Sequence, residues 1–227
     1  MKTTKEVSVV LPCLNEEESI GQSIETIQKV FSQNKINGEI IVVDNNSTDG
    51  TSEIALKYPI KYIFESNRGY GNAYKAGLKH AEGNLIIMGD PDNSYDFNDI
   101  PKFLFHLQKY DFVIGSRFLG KIKPGAMPHL HRYVGNPGIR SMMKILHGVN
   151  PSEPSTGFVG IKKELLEKLN LKQQGMEFSS EIIIKVHKIG ATVKEIPITY
   201  HIRSGKSKVK PLSDGLRHAR YLIKEAF

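Results

Sequence analysis

The chain has 227 residues, of which 39% are hydrophobic and 24% charged, so one sizeable domain with a packed core is expected and wholesale disorder is excluded. Its net charge is +7; residues 201–227 hold seven Lys or Arg and two acids, a net +5, and the first 200 residues therefore carry only +2 (7 − 5). This basic segment indicates an anionic partner such as a phosphate, a nucleic acid or a membrane surface, although a solvated basic face fits the charge equally well.

The single cysteine, Cys13, excludes an internal disulfide and a cysteine-based zinc cluster. No apolar run reaches the roughly 18–20 residues that cross a bilayer. The N-terminal segment also lacks the apolar region and cleavage site of a signal peptide. We therefore expect a cytoplasmic chain that has no membrane span of its own.

Apolar runs alternate with amphipathic stretches over the first half of the chain. In chain order they predict a strand at 7–11, a helix at 16–31, a strand at 39–43, a short helix at 49–58, a strand at 60–64, a helix at 70–81, a strand at 84–88, a helix at 97–109 and a strand at 112–115. Short apolar runs separated by helices are typical of βαβ units. An α/β fold with a mostly parallel central sheet is therefore expected.

The pattern is less regular after residue 116. In chain order it predicts a loop at 121–128, a helix at 132–146, a strand at 156–161, a short helix at 162–169, a helix at 178–188, a strand at 192–200, a basic loop at 201–210 and an amphipathic helix at 212–227. Pro197 places the strand at 192–200 near a sheet edge, because proline cannot donate a hydrogen bond to a neighbouring strand.

Three polar clusters follow the first, second and fourth predicted strands, at residues 12–18, 44–50 and 89–93. Ligands of open parallel sheets bind beyond these carboxyl ends of the strands. Taken singly, each cluster also fits helix caps, acids at a helix start or a plain turn. Gathered on one sheet edge, however, the carboxylates repel one another unless a divalent cation and its ligand are present.

Asp90 and Asp92 stand two residues apart directly after a buried strand. This spacing suits Mg²⁺ or Mn²⁺, which take one or two carboxylates together with substrate phosphates, and it implies a diphosphate ligand. Gly69 and Gly71 do not form a dinucleotide fingerprint, because the third glycine is misplaced and the segment follows the third strand. The sequence has no P-loop motif, and the acids after the first strand disfavour nucleotidyl transfer, which needs a cationic cradle there.

The chain resembles glycosyltransferase family 2, and more narrowly the dolichyl-phosphate mannose synthase and polyprenyl-phosphate glucosyltransferase group. The likeness lies in the segments VVLPCLNEEESI, VVDNNSTDGT, NRGYGNAYKAGLKHAEGNLIIMGDPDNSYDF and GSRF, and it continues through PGAMPHLHRYVGNPG, GMEFSSEIIIKVHKIGATVKEIPITY and RSGKSK. It implies the GT-A fold, a Rossmann-like fold of nucleotide-diphospho-sugar transferases. A catalytic domain is then expected at 1–200, followed at 201–227 by a basic acceptor loop and a basic amphipathic helix.

The resemblance also implies a donor site for a nucleotide-diphosphate sugar, such as GDP-mannose or UDP-glucose. Its expected donor-binding residues are Pro12, Leu14, Asn15, Glu16, Asp44, Ser47 and Asp90. Asp92 would ligate Mg²⁺ or Mn²⁺, and Asp90, Asp92 and Arg117 are the expected catalytic residues. Two positions depart from the family pattern. Asn45 replaces the usual second aspartate after the second strand and leaves the base preference open, and Pro91 should stiffen the turn of the metal site.

The acceptor implied by the resemblance is a polyprenyl monophosphate such as dolichyl or undecaprenyl phosphate. The matching cations are His131, Arg132, Arg203, Lys206 and Lys208. Arginine suits bidentate contact with phosphate, and lysine supplies a point charge. Val159 stands where the family often has arginine, so one phosphate contact would be lost or moved. A lipid phosphate is mostly ionised at pH 7, so inverting attack on the sugar needs no strong general base.

A stripe of apolar residues, flanked by Arg217, Arg220 and Lys224, runs along the last predicted helix. It consists of Leu212, Leu216, Ala219, Ile223 and Ala226. Such a stripe fits packing on the domain as well as a membrane interface. With the lipid acceptor, the second interpretation places the chain peripherally at the cytoplasmic face of the membrane.

Two rival functions stay open on the sequence alone. The first is transfer to a saccharide acceptor in cell-surface polysaccharide synthesis, with Asp96 or Asp99 as the base. The second is a non-catalytic binder of nucleotide sugars or nucleic acid. The basic tail has only Tyr221 and Phe227 as aromatic residues, so base stacking would be poor and no nucleic-acid partner is expected. The sequence leaves open UDP or GDP, the hexose, the lipid length and the oligomeric state.

Overall fold

The computed structural model describes residues 5–209 and 211–227, without the side chains of Pro211 and Leu212. Within these residues, seven strands form one sheet: β1 (Val7–Cys13), β2 (Gly38–Asp44), β3 (Lys61–Phe64), β4 (Leu85–Met88), β5 (Phe112–Ile122), β6 (Val159–Lys162) and β7 (Val193–Tyr200). The strand order is β3-β2-β1-β4-β6-β5-β7. β6 runs antiparallel to both of its neighbours, and the other strand pairs are parallel, which confirms the mostly parallel sheet.

Helices cover both faces of this sheet. They are α1 (Ile20–Gln33), α2 (Thr51–Ala55), α3 (Tyr70–Lys79), α4 (Ile100–Leu107), α5 (Asn136–His147), α6 (Lys163–Leu166), α7 (Phe178–Lys188) and α8 (Pro211–Ala226). A hydrophobic core lies on each face of the sheet, and successive residues of β1 point into opposite cores. Val9 lies in the core that α1 and α4 cover, and Val10 lies in the core that α3 and α7 cover. Burial on both faces explains why the central strands are continuous apolar runs.

The structure differs from the predicted elements at several boundaries. α1 begins at Ile20 rather than at residue 16, because residues 16–19 form a turn in which the Glu16 carbonyl accepts hydrogen bonds from the Ser19 and Ile20 amides. β5 continues to Ile122, into the predicted loop, because it pairs with β7 as far as Tyr200 after a register shift. A π-helical turn, His131–Gly135, precedes α5. The predicted edge position of β7 is confirmed.

The sheet order explains why the three polar clusters meet. β2, β1 and β4 are neighbours and run in parallel, so their carboxyl ends lie side by side at one edge. β6 is antiparallel to β4, with Val159 opposite Met88, so the segment that enters β6 lies at that same edge. The topology thus brings residues 12–18, 44–50, 89–93 and 153–158 together.

The predicted C-terminal helix is present as α8, but the two large side chains described in its apolar stripe face solvent. The side chains of Leu216 and Ile223 are 72% and 51% exposed, whereas Asp214, His218 and Leu222 are buried. α8 lies against α5, where the His147 imidazole hydrogen-bonds the Leu222 carbonyl oxygen at 2.9 Å. Lys210 and the Leu212 side chain lie outside the described residues. The division into 1–200 and 201–227 stays a prediction.

Among the described residues, no helix combines the length and the apolarity needed to cross a membrane.

Candidate active site

The turn after β1 is tied to the loop after β2. Asn15 adopts φ 56°, a left-handed conformation that asparagine tolerates better than most residues. Its amide N–H donates to Ser47 Oγ at 3.0 Å, and its Oδ1 accepts the Thr48 N–H at 2.8 Å. The Glu16 N–H donates to Thr51 Oγ1 at 2.8 Å. Pro12 lies in β1, and Leu14 lies half-buried in the same turn, so the predicted donor residues of these two segments are neighbours.

Asp44 is held rigidly at the end of β2. Its Oδ1 accepts the Ser47 N–H at 2.9 Å, and its Oδ2 accepts the hydroxyl of Tyr62 at 2.9 Å. Burial, and then the hydrogen bond to Asp44, raise the pKa of Tyr62 to about 12. Sequence reasoning did not find Tyr62. It lies on β3 opposite Val42, and this position depends on the register between β2 and β3.

Asn45 acts as a clamp on the loop that precedes α3. Its side-chain amide donates to the carbonyl oxygens of Glu65 and Asn67, both at 2.9 Å, and its Oδ1 accepts the Gly69 N–H at 2.7 Å. An aspartate has no hydrogen to donate to two carbonyl groups. The departure from the usual aspartate therefore serves the loop, and both ends of the Asn45 amide are engaged within the protein.

Asp90 lies half-buried after β4 and is contacted by two tyrosines that sequence reasoning missed. Its Oδ1 accepts the hydroxyls of Tyr70 at 3.0 Å and Tyr74 at 3.2 Å. Burial, followed by the charge of Asp92, raises the pKa of Asp90 to about 7. The available signal was the spacing of the two tyrosines, which places them one turn apart on the same face of α3.

Asp92 is buried and meets the basic segment before α8. Its Oδ1 accepts the Ser94 N–H at 3.0 Å and the Ser94 hydroxyl, and its Oδ2 lies 3.3 Å from an Nη of Arg203. The same Nη is 3.6 Å from Glu16 Oε1. Burial raises the pKa of Glu16, but Lys208 opposes this shift from 2.5 Å. Two predicted acceptor cations therefore offset carboxylate charge beside the predicted donor residues.

Arg117 forms a buried ion pair with Glu153. Its Nε and an Nη donate to the two carboxylate oxygens at 2.8 and 2.6 Å, and its guanidinium lies 4.9 Å from the centre of the Tyr200 ring. Burial opposes the charged form, but the Glu153 carboxylate overrides it and raises the pKa of Arg117 well above its ordinary value. The fork of Arg117 is thus committed largely to Glu153, a partner that sequence reasoning did not assign.

The remaining predicted acceptor cations lie on two separate elements. His131 and Arg132 are in the π-helical turn before α5, and Lys206 is exposed in the segment before α8. The turn is linked to the Arg117 region through Asn136, which accepts the Ser155 hydroxyl at 2.6 Å and donates to the His131 carbonyl at 3.0 Å. The structure therefore connects His131 with the segment that carries Glu153, while Arg203 and Lys208 contact carboxylates at the ends of β1 and β4.

The carboxylates of this edge fit a metal that shares its ligands with a diphosphate. In the described part of the chain, no three His, Cys, Asp or Glu side chains would hold a metal ion by themselves. Mg²⁺ and Mn²⁺ are commonly held by one or two carboxylates together with substrate phosphates, so such a triad is not required. The Arg203 guanidinium on Asp92 Oδ2 shows that positive charge is favoured at this point.

Residues 8–170 match the family model of Glycosyl transferase family 2. The chain belongs to this family. This family member is 38% identical to the low-salt glycan biosynthesis hexosyltransferase Agl6 of Haloferax volcanii. The matched region covers 97% of this chain but only 54% of that relative. It is 30% identical to the dolichyl-phosphate hexose transferase of the same organism, covering 98% and 94% of the two chains. It is also 31% identical to a dolichol-phosphate mannosyltransferase of Pyrococcus furiosus, covering 96% and 64%.

Solved structures confirm the fold of this family member. The glucosyl-3-phosphoglycerate synthase from Mycobacterium tuberculosis, in complex with Mn²⁺, UDP-glucose and phosphoglyceric acid, superimposes with a TM-score of 0.77. The match covers 98% of this chain and 79% of the other at 19% identity. At that identity the likeness shows the fold alone. The predicted GT-A fold is thus confirmed, and the roles of individual residues stay predictions.

Proposed function

We propose that the chain transfers a hexose from a nucleotide-diphosphate sugar to the phosphate of a polyprenyl phosphate, with inversion at the anomeric carbon. The observation that carries this proposal is the position of Asp44 at the end of β2 and of Asp90 and Asp92 after β4, the two strands that flank β1, with Arg203 directly on Asp92. One edge thus offers carboxylates for a metal-bound diphosphate and a cation for a second phosphate. The names of two relatives, a dolichyl-phosphate hexose transferase and a dolichol-phosphate mannosyltransferase, support the acceptor class.

The donor would lie along the edge formed by β2, β1 and β4. In this proposal the turn of Pro12, Leu14, Asn15 and Glu16 binds the base and ribose together with Asp44 and Ser47, and Asp90 lies near the ribose and diphosphate. Asp92 would hold Mg²⁺ or Mn²⁺. When bound, the metal supplies positive charge that stabilises the departing diphosphate.

Arg203 is suited to bind the acceptor phosphate. One Nη approaches Asp92 and Glu16, while its Nε is buried and has no hydrogen-bond partner among the described residues. A buried donor without a partner is costly, and a phosphate oxygen would satisfy it. Further positive charge would come from Lys206, Lys208, His131 and Arg132. Arg117, which Glu153 orients, would be a buried cation of the same site.

A saccharide acceptor with an aspartate base is less well supported. Asp96 accepts the N–H and side-chain amide of Asn98 at 2.9 and 2.7 Å, and Asp99 pairs with Lys102 at 2.5 Å. Both candidate bases thus have local structural partners. An ionised lipid phosphate needs no base, because its oxygen has no proton to lose. That oxygen would attack the anomeric carbon from the face opposite the departing diphosphate.

The proposal is tested by incubating the chain with Mn²⁺, UDP- or GDP-hexoses and a polyprenyl phosphate, with mass spectrometry of the products. A hexosyl lipid phosphate is expected. Asp92→Ala should abolish transfer, whereas Glu164→Ala, which removes an exposed carboxylate on α6, is the matched control and should retain it. Transfer only to free saccharides, or binding of nucleotide sugar without transfer, would overturn the proposed acceptor.

The outward face of α8 would bring the site to a membrane. Leu216 and Ile223 are exposed on it, and Arg220 and Lys224 are exposed beside them. Apolar side chains flanked by cations are typical of helices that lie at an anionic lipid surface. Replacing both Leu216 and Ile223 by serine should weaken sedimentation with anionic vesicles, whereas Leu56→Ser, at another exposed leucine on a different face, should not. Equal binding by all three proteins would refute this role of α8.

A further inference from the structure

The Asp90 carboxyl is held by a pair of tyrosines on α3. Tyr70 and Tyr74 are four residues apart, and their rings meet edge to face with centroids 4.9 Å apart. Both hydroxyls donate to the same oxygen, Asp90 Oδ1, at 3.0 and 3.2 Å. Tyr74 is fully buried and stacks on Phe178 at 5.6 Å, which fixes its ring, and its hydroxyl also lies 3.5 Å from the Gly157 carbonyl oxygen. Two donors on one oxygen fix the carboxyl at that end.

The other oxygen of Asp90 faces the main chain at Gly157. A Cβ at this position would lie 2.4 Å from Asp90 Oδ2 and 2.6 Å from the Tyr70 hydroxyl oxygen, so any larger residue would displace one of them. Gly157 is itself fixed, because its N–H donates to the Tyr95 hydroxyl at 2.9 Å. The carboxyl therefore lies between the tyrosine pair and the main chain at Gly157.

The start of α3, which carries Tyr70, is anchored to two other segments. Gly69 has φ 144°, and its N–H is bound by Asn45 at the end of β2. The Gly71 N–H donates to the Gln174 carbonyl at 2.9 Å. Tyr70 thus reaches Asp90 from a helix start whose position is set by the loop after β2. This links the predicted base-binding edge to the predicted diphosphate-binding edge.

We propose that Tyr70 and Tyr74 are positioning residues, which hold Asp90 by Oδ1 and thereby fix its carboxyl at the edge where the nucleotide diphosphate binds. This inference rests on the proposed function insofar as Asp90 is placed in the donor site. The tyrosines act through Asp90 rather than on the sugar. Their loss therefore weakens donor binding and leaves the acceptor interaction unchanged.

The test measures the Kd of UDP and GDP with Mn²⁺ by calorimetry for the full chain and for Tyr70→Phe and Tyr74→Phe. The control is Tyr58→Phe, because Tyr58 donates its hydroxyl to Glu25 away from the site at 2.7 Å. A hydrogen bond to a charged group changes an equilibrium constant by roughly 10-fold or more, which sets the scale of the affinity loss when Asp90 is no longer held in place. We expect such a loss for each Phe variant and none for the control.

A double-mutant cycle separates positioning from general damage to the fold. In Asp90→Ala, the tyrosine hydroxyls have lost the group that they hold, so adding Tyr70→Phe should not weaken nucleotide binding further. Wild-type affinity in both single Phe variants, or equal additional losses in the Asp90→Ala background, would overturn the inference. If the nucleotides bind but no sugar is transferred, the proposed function fails and the tyrosine result still stands. If they do not bind the wild type, both fail.

Discussion

The buried pair of Arg117 and Glu153 predicts a large and specific loss of stability. Glu153 is fully buried, and its two oxygens accept hydrogen bonds from Arg117 Nε and Nη, with a further bond from the Arg117 amide at 3.2 Å. Glu153→Ala would leave the guanidinium buried without a counter-charge. Breaking a buried pair in this way costs roughly 3–5 kcal/mol of unfolding free energy. With an m-value of about 2–3 kcal/mol/M, the urea midpoint should fall by about 1–2.5 M.

Equilibrium urea unfolding followed by far-UV circular dichroism measures this effect, since the chain has no tryptophan for fluorescence. The matched double variant, Arg117→Met with Glu153→Leu, removes both charges and should recover much of the loss, because apolar residues of similar size often replace a buried pair at little cost. A loss below about 1 kcal/mol in Glu153→Ala would refute the reasoning. If the double variant regains stability but does not transfer sugar, Arg117 has a role in the reaction beyond stability.

The contacts of Arg203, Asn45 and Asp111 each predict a measurable effect. Arg203→Ala should raise the KM for the lipid phosphate roughly 10-fold, as expected for a lost charged hydrogen bond, and change the donor Kd little; equal losses on both sides would contradict its placement. Asn45→Asp should lower the unfolding free energy by about 2 kcal/mol in urea titrations, because two carbonyl groups lose their donors; an unchanged midpoint would disprove the clamp. The hydrogen bonds from Thr192 and the contact with Lys162 lower the pKa of Asp111 to about 2. Its stabilisation is therefore present above pH 4 and lost as the pH falls toward 2, so the midpoint of Asp111→Asn should differ from wild type at pH 6 and converge with it near pH 2; a constant difference would exclude this linkage.

The site was only partly predictable from the sequence. The acids after β1, β2 and β4 could be expected to meet, because parallel strands place their carboxyl ends at one edge of the sheet. Which side chains hold those acids was not predictable. Tyr70 and Tyr74 contact Asp90, which lies 20 and 16 residues away along the chain, and Glu153 contacts Arg117 across 36 residues. No local pattern specifies such partners.

The sequence by itself determined the alternation of strands and helices and the edge position of β7. Both depend on local signals, namely the spacing of apolar residues and the missing hydrogen-bond donor of Pro197. The tertiary structure decided that β6 lies antiparallel between β4 and β5, and that α8 turns Leu216 and Ile223 outward while burying Asp214 and His218. A periodic apolar pattern indicates which face of a helix or strand is suited to burial. Which surface covers that face, and in which direction a strand enters the sheet, depends on packing between segments that are distant in the chain.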